Sequence, residues 1–197
     1  MSVLVTGAAG FIGFHTALAL LRRGQRVIGL DNLSPYYDVG LKRARLDTLK
    51  AQPEFSFAVI DLADRPAVKA LFDTERDLEG IVHLAAQPGV RYSLENPFAY
   101  IDANVTGHLT ILEEARHLKA LRHLVYASSS SVYGESSAVP FSTADRADRP
   151  VSLYAATKRM DELMSHTYAH LYGPVSYTHL TLPTIPFECR SRWSADH

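Results

Sequence analysis

Tyr154 and Lys158 stand four residues apart in a stretch of helical pattern, so their side chains leave one helix face about a turn apart. A free phenol, with a pKa of ~10, is a poor base at neutral pH, but a neighbouring positive charge favours the phenolate and lowers that value. Such a pair could take a proton from an alcohol. By themselves a Tyr and a Lys at this spacing are common on a solvated helix face. Four consecutive hydroxyls, Ser128-Ser129-Ser130-Ser131, sharpen the reading. They follow a strand-like run, at the carboxyl edge of a sheet where open α/β folds bind ligands.

A second constellation lies at the N-terminus. Thr6-Gly7-Ala8-Ala9-Gly10-Phe11-Ile12-Gly13 follows a hydrophobic strand and opens a helix. Gly7 suits the tight turn out of the strand, Gly10 lets backbone approach a pyrophosphate, and Gly13 lets the helix pack closely on the sheet. The anion would rest on the free N–H groups at the helix start, those of Phe11 and Ile12. The spacing is GxxGxxG, and a plain β–α turn could also carry it. Asp31 ends the second strand eighteen residues after Gly13, where a carboxylate can accept hydrogen bonds from an adenosine ribose. An acid there repels a 2′-phosphate, so NAD is expected over NADP. The alternative for Asp31 is a turn residue bonded to its own loop. Asn32 beside it, Asp61-Leu62 after the third strand and Leu84-Ala85-Ala86 after the fourth complete the expected cofactor contacts.

These residues need a scaffold that brings strand ends together. Short β-branched runs alternate with longer helical patterns, the signature of a doubly wound, Rossmann-like parallel sheet with helices on both faces. The pattern predicts strands at 2–6, 26–30, 55–60, 80–83 and 122–127, and helices near 11–23, 39–51, 65–73, 97–118 and 151–172. Gly24 reads as a helix stop and Asn96-Pro97 as a helix start.

Composition narrows the class. Among 197 residues 47% are apolar and 21% charged, the balance of a globular chain. Twenty Lys and Arg against 21 Asp and Glu leave a net charge of −1, with no polybasic footprint for nucleic acid or anionic membrane. No apolar run spans a bilayer, and Met1 leads straight into a strand-like run without a charged leader, so a cytoplasmic protein is expected. The single cysteine, Cys189, excludes an internal disulfide framework, and the nine histidines show no metal-ligand spacing. His83 reads as a core or turn residue, and Tyr36, Tyr37 and Tyr133 as packing groups.

From Pro174 onward the pattern breaks, with three prolines in 24 residues and the only Cys and Trp of the chain. Pro174–Thr184 and Cys189–Ser194 match in-frame translations of sequencing adapters. Residues 174–197 are therefore read as a non-native tail, and residues 1–173 as an NAD-binding Rossmann domain carrying the catalytic residues. The C-terminal strands and substrate domain are expected to be missing, which would leave the fifth strand an open hydrophobic edge and the polypeptide poorly soluble or inactive.

Ser2 to Gly173 resembles the extended short-chain dehydrogenase/reductases, NAD-dependent epimerases and dehydratases, and within them the UDP-glucuronate 4-epimerases. The matching pieces are Thr6–Gly13, Asp31-Asn32-Leu33 running into Tyr36-Tyr37-Asp38 and Leu41–Leu46, and His83–Gln87. They continue through Asn96-Pro97, Tyr100, Asn104 and Gly107 to Tyr126–Gly134 and Tyr154–Lys158. The resemblance makes Tyr154 the acid/base, Lys158 its modulator and ribose anchor, and Ser129 the hydroxyl sharing the reacting oxygen. Asn104 takes a structural role.

Ser130 and Ser131, neutral donors where related dehydratases carry an Asp-Glu pair, could bind a uronate carboxylate, and their lack of acid argues against dehydration. Arg91 could reach a uronate or phosphate, although a lone loop arginine is commonly solvated. The implied reaction oxidises the sugar at C4, turns the 4-keto sugar over, and returns the hydride to the opposite face. It converts UDP-glucuronate to UDP-galacturonate with NAD recycled in place, in an enzyme expected to be a homodimer. Other readings stay open: a UDP-glucose 4-epimerase, a decarboxylating UDP-glucuronate enzyme, another sugar-nucleotide epimerase/dehydratase, a non-catalytic NAD-binding protein, or a truncated product without function.

Overall fold

A computed structural model of the chain describes residues 1–135, 140–142 and 147–172, together with the backbone of 176–180. Strand β1 (Ser2–Thr6) is buried along its whole length and lies at the centre of the sheet. The remaining strands are β2 (Arg26–Asp31), β3 (Phe55–Val59), β4 (Leu78–His83), β5 (His123–Ala127) and β6 (Ser176–Leu180). All pair in parallel, in the order β3-β2-β1-β4-β5-β6. The order reverses between β1 and β4. That reversal opens a crevice at the carboxyl ends of the strands, the usual ligand position in doubly wound folds.

Two apolar layers cover the two faces, and strand alternation assigns the residues of β1 to them. Val3 and Val5 pack with Ala17 and Leu21 of α1 (Phe11–Arg22) and with Leu46 and Leu49 of α2 (Val39–Lys50). On the other face Leu4 packs with Val68 and Phe72 of α3 (Arg65–Thr74), and with Ile111 and Leu112 further along the chain. Helix starts follow from their caps: Asp38 accepts from the Leu41 N–H (2.9 Å) and Asp64 from the Ala67 N–H (3.1 Å). Gly24, at φ +71°, ends α1 as expected.

The long helix expected over 97–118 is broken. A short α4 (Tyr92–Glu95) precedes α5 (Pro97–Tyr100), whose N-terminus Asn96 caps. A π-helical segment (Ile101–Thr106) then leads into α6 (Gly107–Ala115). Asn104 lies within this widened stretch, and its amide bonds the loop after β4 and the last helix. A single 3₁₀ turn (Ser130–Tyr133) follows β5, and α7 (Leu153–Tyr172) carries the Tyr and Lys pair.

The expectation of an open edge at β5 is corrected. Ser176–Leu180 adds as a parallel strand along it, with His123 opposite Ser176 and Ala127 opposite Leu180. Strand addition needs main-chain N–H and C=O groups and tolerates varied side chains, so even a segment outside the expected domain can satisfy an edge. The rest of the expected tail, with Cys189, lies outside the described residues.

Candidate active site

The turn between β1 and α1 forms the floor of the crevice. Gly7 sits at φ +70°, and a Cβ there would lie 2.9 Å from the Ala85 nitrogen. A Cβ on Gly13 would lie 2.1 Å from the Gly7 carbonyl oxygen, so α1 seats directly on the turn. Thr6 pins the facing loop. Its Oγ1 accepts the N–H groups of Leu84 (3.1 Å) and Ala85 (3.0 Å) and lies 2.8 Å from His83 Nδ1. With both lone pairs occupied, the hydroxyl donates to Nδ1, which makes His83 a neutral ring protonated on Nε2. Burial, with His108 and Lys158 nearby, pushes the His83 pKa well below its ordinary value, in agreement with that state. His83 is thus a core residue, as expected.

Gly10 caps α1 and brings no side chain to its N–H groups, which leaves that helix end for an anion. Together with the close approach of Gly7 to the loop after β4, this is the shape a dinucleotide pyrophosphate requires, and the residues present fit NAD. Asp31 is buried and held from three sides. Its Oδ2 accepts the Ala9 N–H (3.2 Å), and its Oδ1 accepts the Leu33 N–H (2.8 Å) and the Lys42 ammonium (3.3 Å). Asn32 donates to Asp61 (2.9 Å), which ties the ends of β2 and β3 together.

α7 approaches from the opposite wall. Asn104 accepts the Gln87 N–H (2.7 Å) and donates to the Gln87 carbonyl (3.2 Å) and to Thr157 Oγ1 (3.0 Å), which fixes α7 against the loop after β4. This is the structural role expected of Asn104. Lys158 is buried and its Nζ donates to Asp161 (3.1 Å). Burial pushes the Asp161 carboxyl up to about 6, against the pull of the Lys158 ammonium. The Tyr154 ring meets Tyr100 edge-on at 6.1 Å, and the contact chain continues through Tyr92 and Tyr36 to Tyr37.

A cavity of about 380 Å³ joins the two walls. It is lined by Gly7, Gly10, Phe11, Ile12, Gly13, Asp31, Asn32, Asp61, Leu62, Leu84, Ala85, Ala86, Tyr154 and Lys158. These are all the residues expected at the cofactor, with both residues of the Tyr and Lys pair. Ser129, Ser130, Ser131 and Arg91 are not brought to its lining. Ser129 caps the 3₁₀ turn, accepting the Ser131 N–H (3.2 Å) and donating to Ser131 Oγ (3.1 Å), while Arg91 is exposed at the start of α4. Ser128 lines the cavity instead, its hydroxyl on Glu162 (2.5 Å).

Sequence reasoning missed Lys42 and treated Tyr36 and Tyr37 as packing alone. All three line the cavity. A lysine on the same helix face as Leu46 and Leu49 was the available signal for Lys42. Among the described residues no cluster of His, Cys, Asp and Glu could hold a metal ion.

Sheet order, glycine turn and the shared cavity together define a doubly wound dinucleotide-binding domain. The chain belongs to the family whose model is described as GDP-mannose 4,6 dehydratase, which matches residues 4–184. A probable UDP-glucuronate 4-epimerase of Rhizobium meliloti (strain 1021) is 51% identical over 172 residues, covering 87% of this chain and 50% of that one. A 37.6 kDa protein of Escherichia coli O111:H- is 59% identical over 173 residues, covering 88% and 51%. The UDP-glucuronic acid 4-epimerase of Bacillus cereus, solved with UDP-glucuronic acid and NAD, superposes with a TM-score of 0.80 at 33% identity, covering 92% and 55%. The chain spans about half the length of the relatives it matches.

Proposed function

We propose that the cleft binds NAD and that the complete protein is a 4-epimerase of a UDP-sugar, converting UDP-glucuronate to UDP-galacturonate. The observation that carries this reading is the shared cavity: Tyr154 and Lys158 open onto the same space as the Gly7–Gly13 turn and Asp31. NAD held by the Gly7–Gly13 turn, Asp31 and Lys158 would supply reversible hydride acceptance at the sugar carbon, with no net oxidation.

Each side chain then has a task. The N–H groups at the start of α1 hold the pyrophosphate, and Asp31 holds the adenosine ribose. Tyr154 removes the proton of the sugar 4-hydroxyl and later restores it. Lys158 supplies positive charge to the phenolate and anchors the nicotinamide ribose, with Asp161 orienting its ammonium. Ser129 shares the reacting oxygen, which requires its hydroxyl to leave Ser131 when substrate arrives. Ser130, Ser131 and Arg91 lie outside the cavity lining, so for the two serines to meet a uronate carboxylate as neutral donors, and Arg91 as a cation, the sugar must extend beyond that lining. The same two serines favour epimerisation over dehydration, because elimination needs an acid and a base where they stand. A UDP-glucose 4-epimerase shares the cofactor site and differs in this sugar pocket. Homodimerisation rests on the resemblance and a cytoplasmic location on the sequence pattern, and both belong to the same proposal.

The test is product analysis on the chain continued past Gly173 to the length of its relatives, incubated with NAD and either UDP-glucuronate or UDP-glucose. UDP-galacturonate should form from the former, and Tyr154→Phe should lower turnover at least about 100-fold. Equal or faster epimerisation of UDP-glucose would reassign the substrate, and full activity of the Phe variant would refute the mechanism.

A further inference from the structure

The Lys42 ammonium is buried at the rim where the adenosine ribose would lie, and among the described residues its partner is Asp31 Oδ1 at 3.3 Å. Both side chains line the cavity. Two features separate this lysine from the basic face of α2. Its neighbours Arg43 and Ala44 are exposed, whereas Lys42 follows the spacing of Leu46 and Leu49 into the interior. Arg45, the other cation nearby, is engaged elsewhere, its Nη1 on the Ala9 carbonyl (3.3 Å) and its guanidinium 5.8 Å from the Phe11 ring centre.

We propose that Lys42 is a second determinant of which dinucleotide the cleft accepts, and that Asp31 masks it. This rests on the reading of the cleft as a dinucleotide site. A carboxylate at the end of β2 accepts from a ribose 2′-hydroxyl and repels a 2′-phosphate, whereas a cation there accommodates the phosphate. Here both charges occupy one place. The ammonium neutralises much of the repulsion Asp31 would exert, and it has further N–H donors to offer a ligand in the cavity that both residues line. Selection of NAD therefore depends on the carboxylate being present. Remove it, and the pocket already holds the cation that a 2′-phosphate needs.

The experiment measures NAD and NADP binding to the 197-residue chain by titration calorimetry, with circular dichroism confirming the fold of each variant. The wild type should prefer NAD. Asp31→Ser, which also makes room, should tighten NADP at least tenfold, and Asp31→Ser/Lys42→Gln should lose that gain. Lys42→Gln alone should lower the ratio of NADP to NAD affinity at least threefold, with Arg45→Gln leaving it unchanged.

An Asp31→Ser chain that folds without gaining NADP affinity, or a gain that survives Lys42→Gln, overturns the proposal. If Asp31→Ser does not fold, the Lys42→Gln ratio decides alone: a fall supports the proposal and an unchanged ratio overturns it. A wild-type chain that binds neither dinucleotide refutes the underlying site, whereas NAD binding without the Lys42 effects refutes only this proposal.

Discussion

Replacing Asp161 by Asn should make the protein more stable at neutral pH while leaving it nearly unchanged in acid. Asp161 is 1% exposed, its Oδ2 accepts from Lys158 Nζ, and among the described residues its Oδ1 has no hydrogen-bond partner. Burial raises it from an ordinary 3.8 to about 6 in the fold, so the folded chain holds this proton where the unfolded chain has released it. For a carboxyl raised in this way the favourable contribution is full below about pH 4 and is lost as pH rises through about 6. At about 1.4 kcal/mol per tenfold change, the ionised state costs about 3 kcal/mol at neutral pH.

Between about pH 4.5 and about pH 7.5 about 2 kcal/mol of that penalty develops, and an amide never incurs it. Urea unfolding of both chains at the two pH values measures the effect, and the difference between them cancels the titration of the groups that do not interact with Asp161. The stability gap should widen by about 2 kcal/mol in favour of Asp161→Asn as pH rises. A gap independent of pH, or one widening toward acid, would refute the assignment of a raised carboxyl beside Lys158.

Two further perturbations probe the walls of the cleft. Gly13→Ala drives a methyl to 2.1 Å from the Gly7 carbonyl, so α1 must lift off the turn; thermal unfolding should show a loss of about 1–3 kcal/mol, with weakened NAD binding by calorimetry. Asn104→Ala strands the Gln87 N–H and carbonyl in the interior and should cost about 1–3 kcal/mol in urea unfolding, while a change below about 0.5 kcal/mol would mean the loop after β4 is held by other contacts.

Much of the site was legible because its parts obey strict local requirements. Gly7 and Gly13 stand where any side chain would collide with backbone, and Asp31 ends a strand whose position follows from its apolar run. Tyr154 and Lys158 follow from helical spacing. The remainder depends on distant contacts. Helical periodicity continues through 97–118 and gives no sign of the π-helical turn, whose Asn104 bonds the distant Gln87 and Thr157.

Lys42 looks like one of several cations in Lys42-Arg43-Ala44-Arg45 until the register of α2 turns it toward Asp31. Among four consecutive serines, the tight turn after β5 directs Ser128 to the cavity and ties Ser129 to Ser131, a choice made by backbone geometry that four identical residues cannot reveal. The pairing of β6 with β5 likewise depends on main-chain groups that every sequence possesses.

The most direct test of the account is a crystal structure of the chain with NAD. The pyrophosphate should rest on the N–H groups of Phe11 and Ile12 and the adenosine ribose on Asp31, with nicotinamide C4 within about 4 Å of the place a sugar carbon would occupy beside the Tyr154 hydroxyl. A dinucleotide seated away from the Gly7–Gly13 turn, or a nicotinamide ring far from Tyr154 and Lys158, would contradict it.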